Sequence, residues 1–183
     1  MNSQRMSGWL LTLAPILTFL VIGVLYSQLV GDQETPTSSI HEMMANPEVA
    51  RVLLGIGSIS LVSIFGGLSL LARSMWTEGS AGTGYAAVAM LIFVSVGAVA
   101  LAATGLSAGA LQASSESVAL AVTIEGVSQA MFAGVWFYWG VGSLILGMTL
   151  VMQKNLHVAI AWGFVVFGLF VIITSLVDLN LAD

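Results

Sequence analysis

Chemistry in this chain must be done with few groups: four lysines and arginines, nine aspartates and glutamates and two histidines in 183 residues. The set to weigh first is Arg51, Glu48, Glu125 and Asp178. Arg51 stands three residues after Glu48, the spacing that puts both on one helix face. A cation at the edge of hydrocarbon gains from a partner, because neighbouring hydrocarbon has removed part of its hydration. The main expectation is an outer polar cluster in which Arg51 bonds to Asp178 or Glu125 and ties separate helices together. The competing reading is an Arg51 that pairs only with Glu48 or extends to lipid headgroups.

Other candidate groups have equally specific alternatives. The run Trp136-Phe137-Tyr138-Trp139 can floor a lipid or quinone pocket, with Gln129 two turns earlier, or it can be an aromatic belt with core packing. His157 is placed to ligate a haem or chlorin axially. A bis-histidine site needs a second histidine at membrane depth, however, and His41 falls in a distant loop. The bland reading is an interfacial histidine. Gly126, Ala130, Gly134, Tyr138 and Gly142 recur at spacing four and make a helix-packing face, where small residues let another backbone approach. That face suits an oligomer or partner seam, or ordinary packing within one bundle. Ser63-x-x-x-Gly67 and Gly105-x-x-x-Gly109 repeat the idea.

No Ser/His/Asp set, H-E-x-x-H, P-loop or dinucleotide fingerprint is present, so no catalytic residues and no enzyme activity are expected. The chain has no cysteine, which removes disulfides, iron–sulfur ligation and thiolate zinc sites. No cofactor and no metal are expected. A formal net charge of −5 without a basic patch excludes nucleic acid as a partner.

The elements that must position these groups are set by composition. Hydrophobic residues make up 58% of the chain and charged residues 7%. A soluble domain carries about 25% charged residues to keep its surface hydrated. The mean hydropathy of +1.02 agrees, and the lipid bilayer is the first partner. A spanning helix needs about 20 apolar residues and must satisfy its own backbone. Five runs qualify, about 9–29, 47–72, 85–106, 130–152 and 156–179. The fold class expected is an all-α multipass transmembrane helical bundle, one domain over 1–183.

The run over 8–30 is longer than a signal-peptide core and has no small-residue cleavage motif, so it reads as a retained signal-anchor helix. Nothing breaks the stretch 117–152, so 115–129 either extends the fourth helix outward or lies along the membrane. The outer loop 31–46 carries a short surface helix, for which Ser39-Ile40-His41-Glu42 supplies a capping box. Asn46-Pro47-Glu48 reads as N-cap, N1 proline and first-turn acid of the second span. The Gly/Ser-rich loop 74–84 is expected to be flexible, and Gln153-Lys154-Asn155 to form a tight turn.

With the N-terminus cytoplasmic, Arg5, Arg73 and Lys154 fall inside and only Arg51 falls outside. Trp9, Trp76, Tyr85 and Trp162 then collect at the inner interface, and Tyr26 and Trp136 at the outer. Five spans put the C-terminus outside. The residues Phe132-Ala133-Gly134-Val135-Trp136 to Gly147, the turn, and Ile160-Ala161-Trp162-Gly163 to Gly168 resemble the end of an uncharacterised bacterial multipass membrane family, a domain of unknown function. The resemblance covers about a quarter of the chain. It implies a small bacterial membrane protein and carries no activity with it.

The function expected is non-enzymatic: an accessory or structural subunit of a homo-oligomer or larger complex in the cytoplasmic membrane of a bacterium or archaeon. The alternative is a small-molecule or lipid carrier with a pocket between the fourth and fifth spans. Reporter fusions test the topology. A reporter after Asp183 is expected to be active outside the cytoplasm and one at Gly79 inside; the reverse at either site rejects five spans.

Overall fold

The computed structural model describes the backbone of residues 3–31, 34–76, 78–154 and 156–181, and the side chains of the same segments between 6 and 177. All regular elements among them are helical. Helix α1 (Ser3–Thr18) continues through a π-helical stretch, Phe19–Tyr26, and a last turn, Ser27–Leu29. Then come α2 (Pro36–Ala45), α3 (Pro47–Ser74), α4 (Thr83–Ala113), α5 (Val118–Gln153) and α6 (Val158–Leu181). Five helices are long and apolar enough to cross a membrane: Met6–Leu29, Pro47–Ser74, Thr83–Ala113, Val118–Gln153 and Val158–Val177.

The boundaries follow local chemistry, with one correction. Helix α2 does not start on the Ser39–Glu42 box. Its N-cap is Thr35, whose Oγ1 accepts from the Ser38 backbone at 3.1 Å while Ser38 Oγ accepts from the Thr35 backbone at 3.0 Å. Pro36 then occupies the first helical position, where its missing N–H costs nothing. Ser39 is thereby moved inside the helix and onto its buried face. Helix α3 starts at Pro47 as expected, and the Asn46 carbonyl takes the Ala50 N–H at 3.0 Å. The Asn46 amide does not cap the helix; it donates to the Leu29 carbonyl at 3.3 Å. Helix α5 begins where Ser117 Oγ accepts from Leu120 N–H at 3.3 Å and runs unbroken for 36 residues. It is one continuous helix, and 118–129 does not form a separate surface helix.

The chain forms two compact units, 11–64 with 98–132, and 1–10 with 65–97 and 133–183. In the first unit α2 is a core element. Ile40 and Met43 are fully buried against Val21, Tyr26, Val30, Ala50, Leu53, Ala110, Leu111 and Ala121. Helices α4 and α5 are joined by Ser128, whose hydroxyl lies 2.8 Å from both the Ala103 carbonyl and Ser107 Oγ.

The second unit is seamed by glycine. An added Cβ at Gly168 of α6 would lie 2.5 Å from Leu144 N and 2.7 Å from the Gly140 carbonyl of α5. One at Gly147 would lie 2.7 Å from Val165 N. Only glycine permits backbones this close. Gly142 admits the Phe93 ring of α4 in the same way, at 2.8 Å. Ser7 of α1 donates to the Gly67 carbonyl of α3 at 3.1 Å. The loop 75–82 is tied to α5 at two of its described residues, Met75 and Ser80. Met75 is buried, and the Gln153 amide donates to the Met75 carbonyl at 2.8 Å and Ser80 Oγ at 3.2 Å.

This packing separates two alanine substitutions. Gly168→Ala forces α5 and α6 apart and is expected to cost about 1–3 kcal/mol, as overpacking does. Gly134→Ala, with nothing within 4 Å, is expected to be neutral or to stabilise by about 0.4–1 kcal/mol through the unfolded chain. Thermal unfolding in detergent compares the two. Equal effects contradict the seam.

Candidate functional site

Among the described residues, Glu125 is the carboxyl side chain that folding buries, at 3% exposure. Helix α5 carries it, and α2 closes over it. Gly126, next in sequence, lets the Pro36 ring approach to 3.6 Å of where a Cβ would stand. That contact holds the start of α2 against α5. The fully buried Ser39 donates to Glu125 Oε1 at 3.1 Å, and the Gln129 amide, one turn along α5, donates to the same oxygen at 3.4 Å. Oε2 is shut off from solvent and has no hydrogen-bond partner. The carboxyl group is thus half-satisfied by neutral donors, one of them from another helix. It can hold α2 in place, and it has one oxygen left to accept a charge or a donor.

Arg51 and Glu125 of the expected outer polar cluster do not bond each other. Arg51 Nη1 bonds Glu48 Oε1 at 2.8 Å on its own helix, both side chains largely in the open at 51% and 82%. Glu125 bonds Ser39 and Gln129 instead. The reason is reach: a partner one turn away on the same helix is always available to a long side chain, while Glu125 is enclosed. The side chain of Asp178 lies outside the described residues.

The packing face divides along its length. Gly142 is closely packed, and Gly126 meets only Pro36. Between them Ala130 and Tyr138 are exposed, and Gly134 meets nothing within 4 Å. The intra-chain seam uses Gly140, Gly147 and Gly168 instead. Gly105 and Gly109 of α4 also meet nothing within 4 Å.

The aromatic run is occupied by packing. Trp136 stacks on Trp139 at 5.2 Å between centroids and 25° between planes. Trp139 meets Phe65 edge-on at 5.4 Å and Phe167 at 5.6 Å. Rings from α3 and α6 thus lie beside Trp139, while Trp136 stays half exposed. The Gln129 amide, assigned to that pocket by sequence, serves Glu125. His157 is exposed; its Nδ1 accepts from Ala159 N–H at 3.3 Å and its carbonyl from Ile160 N–H at 2.9 Å, so it caps the start of α6. No group of three or more His, Asp or Glu converges among the described residues.

Sequence reasoning placed Glu125 in the wrong company. The available signal was Glu125 followed four residues later by Gln129 in an apolar helix, a pair that faces one way. Nothing local pointed to Ser39, 86 residues away. Comparison of the chain with protein-family models, with curated proteins and with solved structures finds no match.

Two substitutions rank the polar contacts. Ser39→Ala removes a buried donor to a carboxyl group and is expected to cost about 1.5–3 kcal/mol, the range for hydrogen bonds to charged groups, or less if the group is neutral. Arg51→Ala removes an exposed pair and is expected to cost no more than about 1 kcal/mol. Equilibrium unfolding in mixed micelles measures both. A larger loss at Arg51 than at Ser39 contradicts the assignment.

Proposed function

We propose that this chain is a five-span integral membrane protein with a cytoplasmic N-terminus. On this reading it is a non-enzymatic accessory or structural subunit, assembling with copies of itself or a larger complex in the cytoplasmic membrane of a bacterium or archaeon. The five apolar helices support the membrane location. The observation that carries the subunit role is the open face of α5 over Ala130, Gly134 and Tyr138. The chain uses the glycines at 140, 147 and 168 for its own helix contacts, while Ala130 and Tyr138 are exposed and an added Cβ at Gly134 would meet nothing within 4 Å.

In hydrocarbon, helices associate by dispersion and close backbone approach, because lipid tails already solvate apolar side chains. A face of small residues loses contact area to lipid and gains it from a second helix. Exposed large side chains on α6, among them Val166, Phe170 and Ile173, have no such need, since acyl chains pack against them. The 130–138 face is the better seam for that reason.

Gly134→Leu tests the seam. In mild detergent the wild type is expected to migrate as a complex of defined stoichiometry. Filling the face with leucine is expected to weaken assembly by tenfold or more, since overpacking costs about 1–3 kcal/mol and about 1.4 kcal/mol is a decade in affinity. The unfolding temperature of the dissociated chain should not fall. Val166→Leu serves as the lipid-facing control and is expected to leave assembly intact. Unchanged recovery of the complex with Gly134→Leu rejects the subunit reading at this face.

A further inference from the structure

The subunit reading leaves Glu125 without a role, and its geometry asks for one. We propose that Glu125 is a monovalent-cation site, its Oε2 taking up a proton or an alkali cation, and that loading this oxygen holds α2 down on α5. The inference does not depend on the subunit reading.

The first ground is the imbalance between the two carboxyl oxygens. Oε1 receives Ser39 and Gln129, both neutral donors, while Oε2 is enclosed and receives none. An ionised carboxylate enclosed in this way keeps its charge without a counter-charge, and burying an unpaired charge is more costly than two neutral hydrogen bonds repay. A single positive charge on Oε2 removes that imbalance and leaves both existing bonds in place.

The second ground is the surroundings. On α2 the titratable groups are His41, which is exposed, and Glu42, whose carboxylate lies against Gly31. On α3, Glu48 and Arg51 pair with each other at the surface. The part of α4 in this unit, 98–113, carries no charged residue, and Glu116 after it is exposed. Tyr26 closes the π-helical stretch of the first helix and belongs to the same core. Asp32 lies outside the described residues. None of these described groups supplies Glu125 with a cation. The class of ligand follows from the donors. One enclosed carboxyl oxygen without a partner suits a single charge; divalent calcium is held by a fuller shell of six to eight oxygens, usually several of them carboxylate, and among the described residues no such acidic group converges here.

The third ground is what the charge controls. The Ser39 bond is a direct link from α2 to this carboxyl group, and the same helix buries Ile40 and Met43 completely. Unloaded, Glu125 draws water or separates from α2, and the helix loses its apolar contacts together with the hydrogen bond. Loaded, it closes. By mass action, a cation that binds only the closed form stabilises it in proportion to its free concentration above the dissociation constant.

Hydrogen exchange on the full chain in lipid nanodiscs reads this directly. The amides of the peptide 34–46 are followed, with rates corrected for intrinsic pH dependence, across a pH series in choline chloride and across a sodium-for-choline replacement at fixed pH. In the wild type these amides are expected to become more protected as pH falls, which marks a proton, or as sodium replaces choline, which marks an alkali cation. Glu125→Gln has no charge to neutralise and places an amide at the bare oxygen, so its protection should be flat in both series. Glu42→Gln and His41→Gln remove the titratable groups of α2 itself and should keep the wild-type response, which holds the test open should Glu125→Gln not fold. Protection that does not change in the wild type overturns the proposal and leaves Oε2 to an ordinary buried water. A response retained in Glu125→Gln, or lost with Glu42 or His41, overturns it as well.

Discussion

Close backbone approach is the interaction on which the rest of this structure rests. In a lipid environment apolar side chains gain nothing by leaving water, so helices stay together only where they fit better against one another than against acyl chains. The contact of Gly168 with the backbone around Gly140 and Leu144 is such a fit, and Gly147 against Val165 is its second point. These lie on successive turns of one face of α5. With α6 fixed there, the faces of α5 left over are committed in turn: Gly142 takes the Phe93 ring, and Trp139 takes the rings of Phe65 and Phe167. The open 130–138 positions are what remains.

The polar side chains follow a second rule that keeps such packing possible. Most hydroxyls in the long helices bond back to their own backbone. Thr18 donates to Ala14, Ser58 to Leu54, Ser69 to Phe65, Thr104 to Ala100, Thr149 to Ile145 and Thr174 to Phe170, each at the carbonyl four residues earlier. A hydroxyl satisfied this way presents little polarity outward and makes no demand on a neighbour. Ser7, Ser39, Ser107 and Ser128 depart from the rule and reach another helix. Each marks a crossing that apolar packing alone leaves weakly specified. Ser39 stands apart because its acceptor is ionisable, which makes that crossing the one whose strength depends on charge.

How much of this was legible in the sequence varies with the range of the interaction. The five apolar runs and the start of α3 at Pro47 are local properties, and both were readable. Helix α4 runs to Ala113, beyond the 106 expected, because the residues after Leu106 are small and helix-compatible although less apolar. The capping box at Ser39 was a correct motif in the wrong register: Thr35 and Ser38 form the same reciprocal pair four residues earlier, with a proline between them to fix the start. The glycines were all visible, but α5 has small residues on more than one face. Spacing alone does not say which face meets α6; that is decided by where Gly168 falls on the partner. The Ser39–Glu125 bond is further out of reach, since it joins segments 86 residues apart through a loop whose path no local pattern dictates.

The protein itself encloses the Glu125 carboxyl group, by folding α2 over it. The cover here is a ten-residue helix whose Ile40 and Met43 do the apolar work. Glu125 is held by Gln129 of its own helix and by Ser39 of the short helix that it also helps to anchor. The burial of the charge and the position of α2 are therefore a single equilibrium, and whatever sets the charge sets the helix.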